Sequence, residues 1–498
     1  MENIKQPNIL LITSDQQRWD SLGLLRKHVK TPNLDKLAED GILFERAYTV
    51  NPVCTPSRCS ILTGLYPSRH GCYHVGTSLP EGAFSTVADS LNGCGYFTAL
   101  LGKSHFNACR DPDSPESAPF IHDLDYYDTW DGPFYGFERA KLVIGHTSEP
   151  HACGMHYGAW LRKQDIRLED YFDIHDYNAH GTWQLPEQFH GSAWVAEETI
   201  QAINDACARK QPFFAWSSFQ DPHNPYVVPS PWDKLYDPDA LPGLSNAVEN
   251  GEGKPPFYET LQAGKFYGDD PDLQKNNIGD CKTRSELSEK DIREIHAAYL
   301  GMVSLMDHHI GKIIDHLKAC GQYENTIIIF TSDHGDYLGE HGLWGKGLPA
   351  YEDIQRVPMI VRCPSGARGR SGALQSVVDI PRTIMELAGG VVPAGIQGAN
   401  QEASWMDPET HVRDWTMLEF RPAESPFMQR TYIEERYKLV MYHKRTYGEL
   451  YDLHADPEQQ VNLFDDPDFR DVREKLVRRY IDAEMERDGV MRARKAEA

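Results

Sequence analysis

The sequence has no long hydrophobic run: nowhere do the roughly 18 apolar residues of a membrane-spanning helix follow one another. Its first apolar stretch, Ile9–Ile12, is also too short for the core of a signal peptide. We therefore expect no membrane association and a cytoplasmic location. A periplasmic or secreted form from which a signal had been removed would have the same sequence.

Positive charge is scarce as well. Lys and Arg together number 50, against 74 Asp and Glu, which gives a net charge of −24. Because polyanions are repelled by such a surface, the composition excludes general nucleic-acid binding. A small anionic substrate is still compatible with it, since a few Lys, Arg and His side chains reverse the field locally.

Common redox and catalytic motifs are missing too. The 10 cysteines are scattered without C-x-x-C spacing, and the chain has neither a G-x-S-x-G nucleophile elbow nor a phosphate-binding P-loop. In a chain of this length that shows no signal peptide, we expect reduced thiols rather than a disulfide framework.

The sequence does contain alternating apolar strands and amphipathic helices. Short apolar runs that end in polar residues predict buried strands at 8–13, 42–48, 96–101, 213–219, 326–331 and 359–363. Helical spacing predicts helices after Thr31, at 86–92, at 288–317 in one long or broken segment, and at 380–387. The alternation predicts an α/β fold with a large, mostly parallel sheet flanked by helices.

The C-terminal part has a different pattern. Three short runs, at 413–420, 430–435 and 437–443, indicate strands, and a charged helix follows them. We predict a catalytic α/β domain over residues 1–395 and, over 396–498, an α+β subdomain with a small antiparallel sheet. Segments 107–190 and 230–285 lack periodicity, which is typical of long insertions over a substrate-binding edge.

Polar residues follow several predicted strands directly. Ligands of open α/β sheets bind at the carboxyl ends of the strands, so we expect these side chains to converge on one site. They are Asp15, Lys103, His105, His223, Asp333 and His334.

The segment CTPSRCSILTG, residues 54–64, indicates the chemistry of that site. Cys54 to Arg58 match the C-x-P-S-R signature of the type I sulfatases of the alkaline phosphatase superfamily, and an L-T-G run follows. Further family elements occur in the family's order: PNLDKLAEDG, GKSHF, DPH, SDHG, LGEHG and ELYDL. The chain thus resembles type I sulfatases, especially their iduronate-sulfatase-like branch, and is also similar to the phosphonate monoester hydrolases of the superfamily.

This resemblance implies that a formylglycine-generating enzyme oxidises Cys54 to formylglycine. In the family the aldehyde hydrates to a geminal diol, of which one oxygen attacks sulfur and the other later expels sulfate. Pro56 and Ser57 suit the first turn of a helix, whose N-terminus would favour an anionic ester near Cys54. Arg58 is expected to hydrogen-bond the modified residue and shield its charge, and Cys59 to be a structural thiol.

The resemblance also implies one divalent cation. The expected ligands are Asp15, Gln16, Cys54, Asp333 and His334. Gln16 stands where most of the family has a second aspartate, and His334 where it has an asparagine. Two carboxylates and an imidazole favour Ca²⁺ less strongly than three carboxylates, so Mn²⁺ competes; we expect Ca²⁺. Asp333 is also a candidate base for the diol. Asp336 and Glu340 are interpreted as helix-start or loop residues.

Four more residues match family positions around sulfate. Lys103 and His105 lie two apart on a segment read as extended, so that their side chains share a face. Lys103 is expected to bind sulfate and the formylglycine oxygen, and His105 to take the proton of the second hydroxyl as sulfate leaves. His223 and Lys346 fit the groups that contact sulfate on the leaving-group side and protonate the departing alcohol. His341 is expected to order its neighbours.

We therefore expect a sulfatase that cleaves a sulfate ester, on a small sulfated saccharide if the aromatic insertions form its pocket. Two alternatives remain open: a phosphonate monoester or phosphodiester hydrolase with the same nucleophile, and an unmodified, inactive ligand-binding homologue. Lys103 and His105 favour the sulfatase, because phosphonate hydrolases of the family usually have neutral hydroxyl residues there. The sequence does not predict the oligomeric state.

Overall fold

The structure is a computed structural model that describes residues 6–108, 111, 114–116, 121–145, 154–167, 170–171, 180–243, 253–258, 287–422 and 425–488. The strands are β1 (Asn8–Ser14), β2 (Ile42–Tyr48), β3 (Phe97–Gly102), β4 (Arg139–Leu142), β5 (His180–Trp183), β6 (Phe213–Ser218), β7 (Tyr226–Pro229), β8 (Thr326–Ser332), β9 (Arg356–Arg362), β10 (Gly369–Ser371), β11 (Gln375–Ser376), β12 (Thr416–Phe420), β13 (Gln429–Ile433), β14 (Tyr437–Tyr442) and β15 (Gly448–Asp452). The helices are α1 (Pro32–Glu39), α2 (Cys54–Thr63), α3 (Pro67–His70), α4 (Val87–Asn92), α5 (Leu124–Thr129), α6 (Met155–Lys163), α7 (Gly191–Arg209), α8 (Glu289–Ala319), α9 (Glu352–Gln355), α10 (Asp379–Leu387), α11 (Glu402–Met406) and α12 (Arg470–Glu486).

The central sheet has the strand order β10-β2-β9-β8-β1-β6-β3-β4, and β11 also pairs with β2. β1 lies at its centre, parallel to both β6 and β8. Among the strands that the structure describes in this sheet, β9 alone is antiparallel to both of its neighbours, β2 and β8. The predicted large, mostly parallel sheet is confirmed.

Helices cover both faces of this sheet, which explains why residues 9–12 of the central strand β1 are apolar on both sides. In β1, Ile9 and Leu11 pack into one hydrophobic cluster, while Leu10 and Ile12 pack into another. The first cluster includes residues of α2 and α10, and the second includes residues of α7 and α8. Because successive side chains of a strand point to opposite faces, both sets have to be apolar.

Helix α8 is a single helix of 31 residues, which settles the choice between a long and a broken segment. It begins with a capping box, in which Ser288 and Asp291 satisfy each other's backbone amides. Gly301 lies within it because a Cβ there would come 2.8 Å from the carbonyl oxygen of Trp232. No helix among the described residues has the length and apolar character to cross a bilayer.

The C-terminal part contains a second sheet, antiparallel, with the order β12-β13-β14-β15. The sequence pattern predicted three of these strands and missed β15. The ammonium of Lys438 on β14 is buried and lies 3.1 Å from the carboxylate of Glu352 in α9. The domain boundary near residue 395 stays a prediction.

One segment read as an insertion contributes to the sheet. Within 107–190, β4 pairs in parallel with β3 and forms the edge of the central sheet. Four residues are too few to show a pattern amid irregular sequence. Most of the second predicted insertion, 230–285, lies outside the described residues, as do parts of the first.

Candidate active site

The site forms where two central strands end and helix α2 begins. Ser14 and Ser332 are register partners at the ends of β1 and β8, so the residues that follow them, Asp15 and Asp333, are neighbours. Cys54 is the first residue of α2. A carboxylate oxygen from each aspartate, the Cys54 sulfur and a ring nitrogen of His334 all lie within 4.8 Å of one another. All four residues are buried.

Arg58, one turn along α2 from Cys54, ties this group together. Its guanidinium donates from Nε to Asp333 at 2.8 Å and from Nη2 to Asp15 at 3.2 Å. Nη1 donates to Ser218 and to the backbone carbonyl of Lys103. The side chain is completely buried. Its hydrogen bonds therefore orient the two aspartates; the expected hydrogen bond from Arg58 to the modified residue 54 stays a prediction.

The ring of His334 is held in one tautomer. Nδ1 lies 2.8 Å from the carbonyl oxygen of Gly335, to which it has to donate because a carbonyl only accepts. Nε2 faces the centre of the site, 3.1 Å from the sulfur of Cys54 and 3.9 Å from Asp15. Fixing one ring nitrogen by hydrogen bonding in this way is typical of metal-binding histidines.

The donor set fits a divalent cation. The side-chain Nε2 of Gln16 donates to Asp336 at 2.7 Å, and its backbone amide donates to Asp333 at 3.0 Å. These contacts fix the side-chain amide and leave Oε1 buried without a hydrogen-bond partner. Two carboxylates and an oriented imidazole, with a buried Gln16 oxygen that lacks a hydrogen-bond partner, are donors that suit Ca²⁺ or Mn²⁺.

Lys103 and His105 both reach the site, but not along an extended segment. A Cβ at Gly102 would lie 1.9 Å from the carbonyl oxygen of Ser218, so only glycine fits before Lys103. His105 is left-handed, with φ of 55°. The Lys103 ammonium lies 2.5 Å from Asp15, and His105 hydrogen-bonds the sulfur of Cys54. The convergence was predicted correctly, and the backbone that produces it was not.

Lys346 and His223 contact each other and face Cys54. The ammonium of Lys346 lies 3.0 Å from the Cys54 sulfur and 2.9 Å from Nε2 of His223. Nδ1 of His223 lies 2.6 Å from the carbonyl oxygen of Asn224 and donates to it. With Nδ1 donating to this carbonyl, Nε2 is left to accept a hydrogen bond from Lys346.

The electrostatics of the site favour negative charge at position 54. Burial raises the pKa of the Cys54 thiol, but the ammonium groups of Lys346 and Lys103 outweigh it and hold this pKa well below its usual range. Burial also raises the pKa of Asp15, and the cations around it, Lys103 foremost, lower it to a value below normal. The pKa of His334 is raised, because neighbouring Asp333 outweighs burial.

Asp336 is a residue that sequence reasoning missed. It was interpreted as a helix-start or loop residue, and it does lie in a loop. What the interpretation missed is that Asp336 is buried and accepts hydrogen bonds from Gln16 and from the hydroxyl of Tyr226. It also accepts from the amides of Leu338 and Gly345, on the loop that leads to Lys346. The only feature of the sequence that points to a supporting role for Asp336 is its position three residues after Asp333. An exposed aspartate in a loop could occupy the same position, so this feature does not identify the role.

Two secondary interpretations agree with the structure. His341 lies 3.0 Å from Asp353 and stacks on the ring of Tyr351 at a centroid distance of 3.6 Å, which suits a residue that orders its neighbours. Cys59 is fully buried in a hydrophobic cluster, as a structural thiol should be. The seven cysteines that the structure describes form no disulfide, as expected.

Comparison with known protein families gives two matches. The family model described as "Sulfatase" matches residues 7–391. A second model, described as "N-sulphoglucosamine sulphohydrolase, C-terminal", matches residues 339–486. Together they cover both the central sheet and the C-terminal sheet.

Individual relatives align over nearly the whole chain. An arylsulfatase of Clostridium perfringens is 28% identical over 97% of this chain and 95% of its own. An N-acetylglucosamine-6-O-sulfatase of Bacteroides thetaiotaomicron is 26% identical over 96% and 86%. Among solved structures, the phosphonate monoester hydrolase of Agrobacterium radiobacter superposes with a TM-score of 0.77 at 25% identity, over 97% of this chain and 96% of that one.

Proposed function

This chain belongs to the type I sulfatases of the alkaline phosphatase superfamily, enzymes that hydrolyse sulfate esters, and on that premise we propose how this member works. Its nucleophile is a formylglycine made from Cys54 by a formylglycine-generating enzyme. Its cofactor is one divalent cation, Ca²⁺, held by Asp15, Gln16, Asp333 and His334 together with residue 54. Its substrate is a small sulfated carbohydrate.

The position of residue 54 carries this proposal. It begins helix α2, where free backbone amides and the positive end of the helix dipole favour an anion. The ammonium of Lys346 lies 3.0 Å away, and the charges that lower the pKa of the thiol would stabilise any negatively charged oxygen there. A nucleophile and the sulfate oxygens that it meets both need such surroundings.

A cation bound at this site would polarise the sulfate group and lower the pKa of the nucleophilic hydroxyl. The remaining work falls to the side chains. Arg58 keeps Asp15 and Asp333 in place. Lys103 balances the negative charge of Asp15 and binds a sulfate oxygen. His105, which hydrogen-bonds residue 54, takes a proton from it as sulfate departs. Lys346 and His223 deliver a proton to the leaving alcohol.

A carbohydrate substrate is supported by the N-acetylglucosamine-6-O-sulfatase, which aligns over almost the entire chain. The test is a screen of sulfated mono- and disaccharides in which released sulfate is measured. A Cys54→Ala control, run in parallel, separates the activity of this site from contamination. Release from simple aryl sulfates alone, with no sulfated sugar turned over, would contradict the carbohydrate assignment.

The rival activity is phosphonate monoester hydrolysis, which the similarity to the Agrobacterium radiobacter enzyme favours. Lys103 argues against it, because phosphonate hydrolases of the superfamily usually have a neutral hydroxyl residue at this position, whereas here an ammonium lies beside Asp15. Rates with p-nitrophenyl sulfate and p-nitrophenyl phenylphosphonate decide between the two. A phosphonate rate higher by orders of magnitude would overturn the sulfatase proposal.

Maturation is tested separately by peptide mass spectrometry of protein from its native host. We expect the peptide that contains residue 54 to have the mass of formylglycine. Since Cys54 is only 1% exposed, the modifying enzyme has to reach it before folding is complete. An intact thiol together with no turnover would instead identify an inactive, ligand-binding homologue.

A further inference from the structure

Glu116 is a buried carboxylate that the reaction outlined above does not use. Its exposed fraction is 1%, and it accepts five hydrogen bonds. Oε1 accepts from the hydroxyl of Ser104 and the amide of His105. Oε2 accepts from the amides of Phe106 and Asn107 at 3.0 and 3.1 Å and from the side-chain amide of Asn107 at 3.0 Å.

Three of these donors are consecutive backbone amides, those of residues 105–107. Amides that converge in this way form a concave nest that binds an anion, and here Glu116 supplies the anion from within the chain. The nest includes the left-handed backbone of His105, with φ of 55°. A histidine in this conformation costs free energy, so its surroundings have to maintain it.

Lys103, two residues before His105, is held by groups other than Glu116. The carbonyl of Lys103 accepts from Arg58 at 2.9 Å and from Ser218 at 2.6 Å. These contacts end at Lys103, and the hydrogen bonds to Glu116 begin at Ser104. Phe106, the residue after His105, packs against Trp216 with 5.8 Å between ring centroids and anchors the loop to the core. Glu116 therefore sets the backbone conformation that decides where the side chain of His105 points.

We propose that Glu116 is a positioning residue that holds His105 against residue 54, and this rests on the role proposed for His105 in the sulfatase reaction. Glu116 does not touch the reacting atoms. Its carboxylate keeps the imidazole within hydrogen-bonding distance of residue 54, where misplacement by about 1 Å lowers rates by about 10²-fold.

The test compares Glu116→Gln and His105→Ala, singly and combined, on p-nitrophenyl sulfate. The glutamine keeps the shape but turns an NH₂ group towards amide donors. We expect Glu116→Gln to lower kcat by about 10- to 100-fold with little change in KM. In the His105→Ala background it should lower kcat by less than about threefold, because the residue that it positions is gone.

Hydrogen–deuterium exchange gives a readout that does not need turnover. In Glu116→Gln, the amides of a peptide spanning residues 103–108 should exchange faster, while peptides from β1 and β8 remain unchanged. Asp307→Asn is the matched control, since Asp307 is likewise buried and accepts from the amides of Asn33 and Leu34, remote from the site. It should lower Tm without changing exchange at 103–108.

Equal losses from Glu116→Gln in both backgrounds, or unchanged exchange at 103–108, would overturn the positioning role. If Glu116→Gln does not fold, Glu116→Asp, which keeps a carboxylate but shortens its reach, carries the same comparison. A wild-type enzyme without sulfatase activity would refute the proposed function alone. In that case the exchange experiment still decides whether Glu116 holds the loop.

Discussion

The ammonium nitrogen of Lys346 lies 3.0 Å from the sulfur of Cys54, although 292 residues separate them in the chain. The same nitrogen lies 2.9 Å from Nε2 of His223. Lys346 therefore connects the reacting position with the histidine expected to protonate the alcohol. General acid catalysis matters most when the leaving group is a poor one, and this allows the role to be tested.

His223→Asn should discriminate between substrates by their leaving groups. With a sulfated sugar, whose alcohol is strongly basic, we expect kcat to fall by about 10²- to 10⁴-fold. With p-nitrophenyl sulfate, whose phenolate leaves without help, the loss should stay below about tenfold. Lys103→Ala is the control, because loss of a sulfate-binding group should slow both substrates alike. Equal losses for both esters in His223→Asn would contradict an acid role.

The two cysteines of segment 54–64, Cys54 and Cys59, should differ completely in their effect on activity. Cys54→Ala removes the precursor of the nucleophile, so kcat should fall by more than about 10³-fold. Cys59→Ala only creates a small cavity in the hydrophobic cluster, and it should lower Tm while kcat stays within about twofold. Rates and melting curves of both variants check this. Substantial turnover by Cys54→Ala would exclude residue 54 as the nucleophile.

Chelation should remove both activity and stability. EDTA would take away the proposed cation, which compensates the charge of the buried aspartates, so kcat should collapse and Tm should fall. At a concentration 100 times its dissociation constant, a ligand bound only by the folded state contributes about 3 kcal/mol. We expect Ca²⁺ to restore activity most fully, as metal content and titrated reactivation would show. Better restoration by Mn²⁺ would reassign the metal.

Asp336→Asn should weaken cation binding without removing any ligand. Asp336 fixes the side-chain amide of Gln16 by accepting a hydrogen bond from its Nε2 at 2.7 Å. The two carboxylate oxygens share several donors, and an asparagine would have only one oxygen to accept from all of them. Loss of such a supporting hydrogen bond typically costs about 10- to 100-fold in metal affinity. Competitive titration measures it. The effect should vanish in a Gln16→Ala background, and a full effect there would show that Asp336 acts by another route.

His156 should make the fold sensitive to acid. It is buried, and burial lowers its pKa from 6.5 to about 3. Its Nδ1 accepts from the amide of Leu142 at 2.9 Å, and its Nε2 donates to the carbonyl of Trp130 at 2.8 Å, so only the neutral ring fits. Between the two pKa values the unfolded chain binds a proton that the folded chain does not. Stability therefore falls as pH drops below about 6.5.

At pH 5 the loss in the free energy of unfolding that comes from His156 amounts to about 2 kcal/mol. We expect the Tm of the wild type to fall more steeply between pH 7 and pH 5 than that of His156→Gln. His411→Gln, at an exposed position, is the matched control and should follow the wild type. Parallel pH profiles for the wild type and His156→Gln would show that His156 does not contribute.

Much of the site follows from local sequence patterns. Apolar runs that stop at Asp15 and at Asp333 are visible in the sequence, and parallel pairing of β1 with β8 brings their ends together without further information. Cys54 at the start of α2 follows in the same way from the Pro56 of its first turn. These features depend on neighbours in the sequence and on the geometry of parallel strands, so the sequence by itself determined them.

The supporting groups were decided only by the tertiary structure. Glu116 and Asp336 lie in irregular segments, and nothing close to them in the sequence shows that they are buried. Asp336 receives the side-chain amide of Gln16 from 320 residues away. Glu116 receives its donors from residues 104–107, which meet its carboxylate only once the chain is folded. A carboxylate on the surface and one that receives several amides have the same sequence signature. What distinguishes the two carboxylates is the free-energy cost of burying a carboxylate without hydrogen-bond partners. That cost arises only in the folded chain.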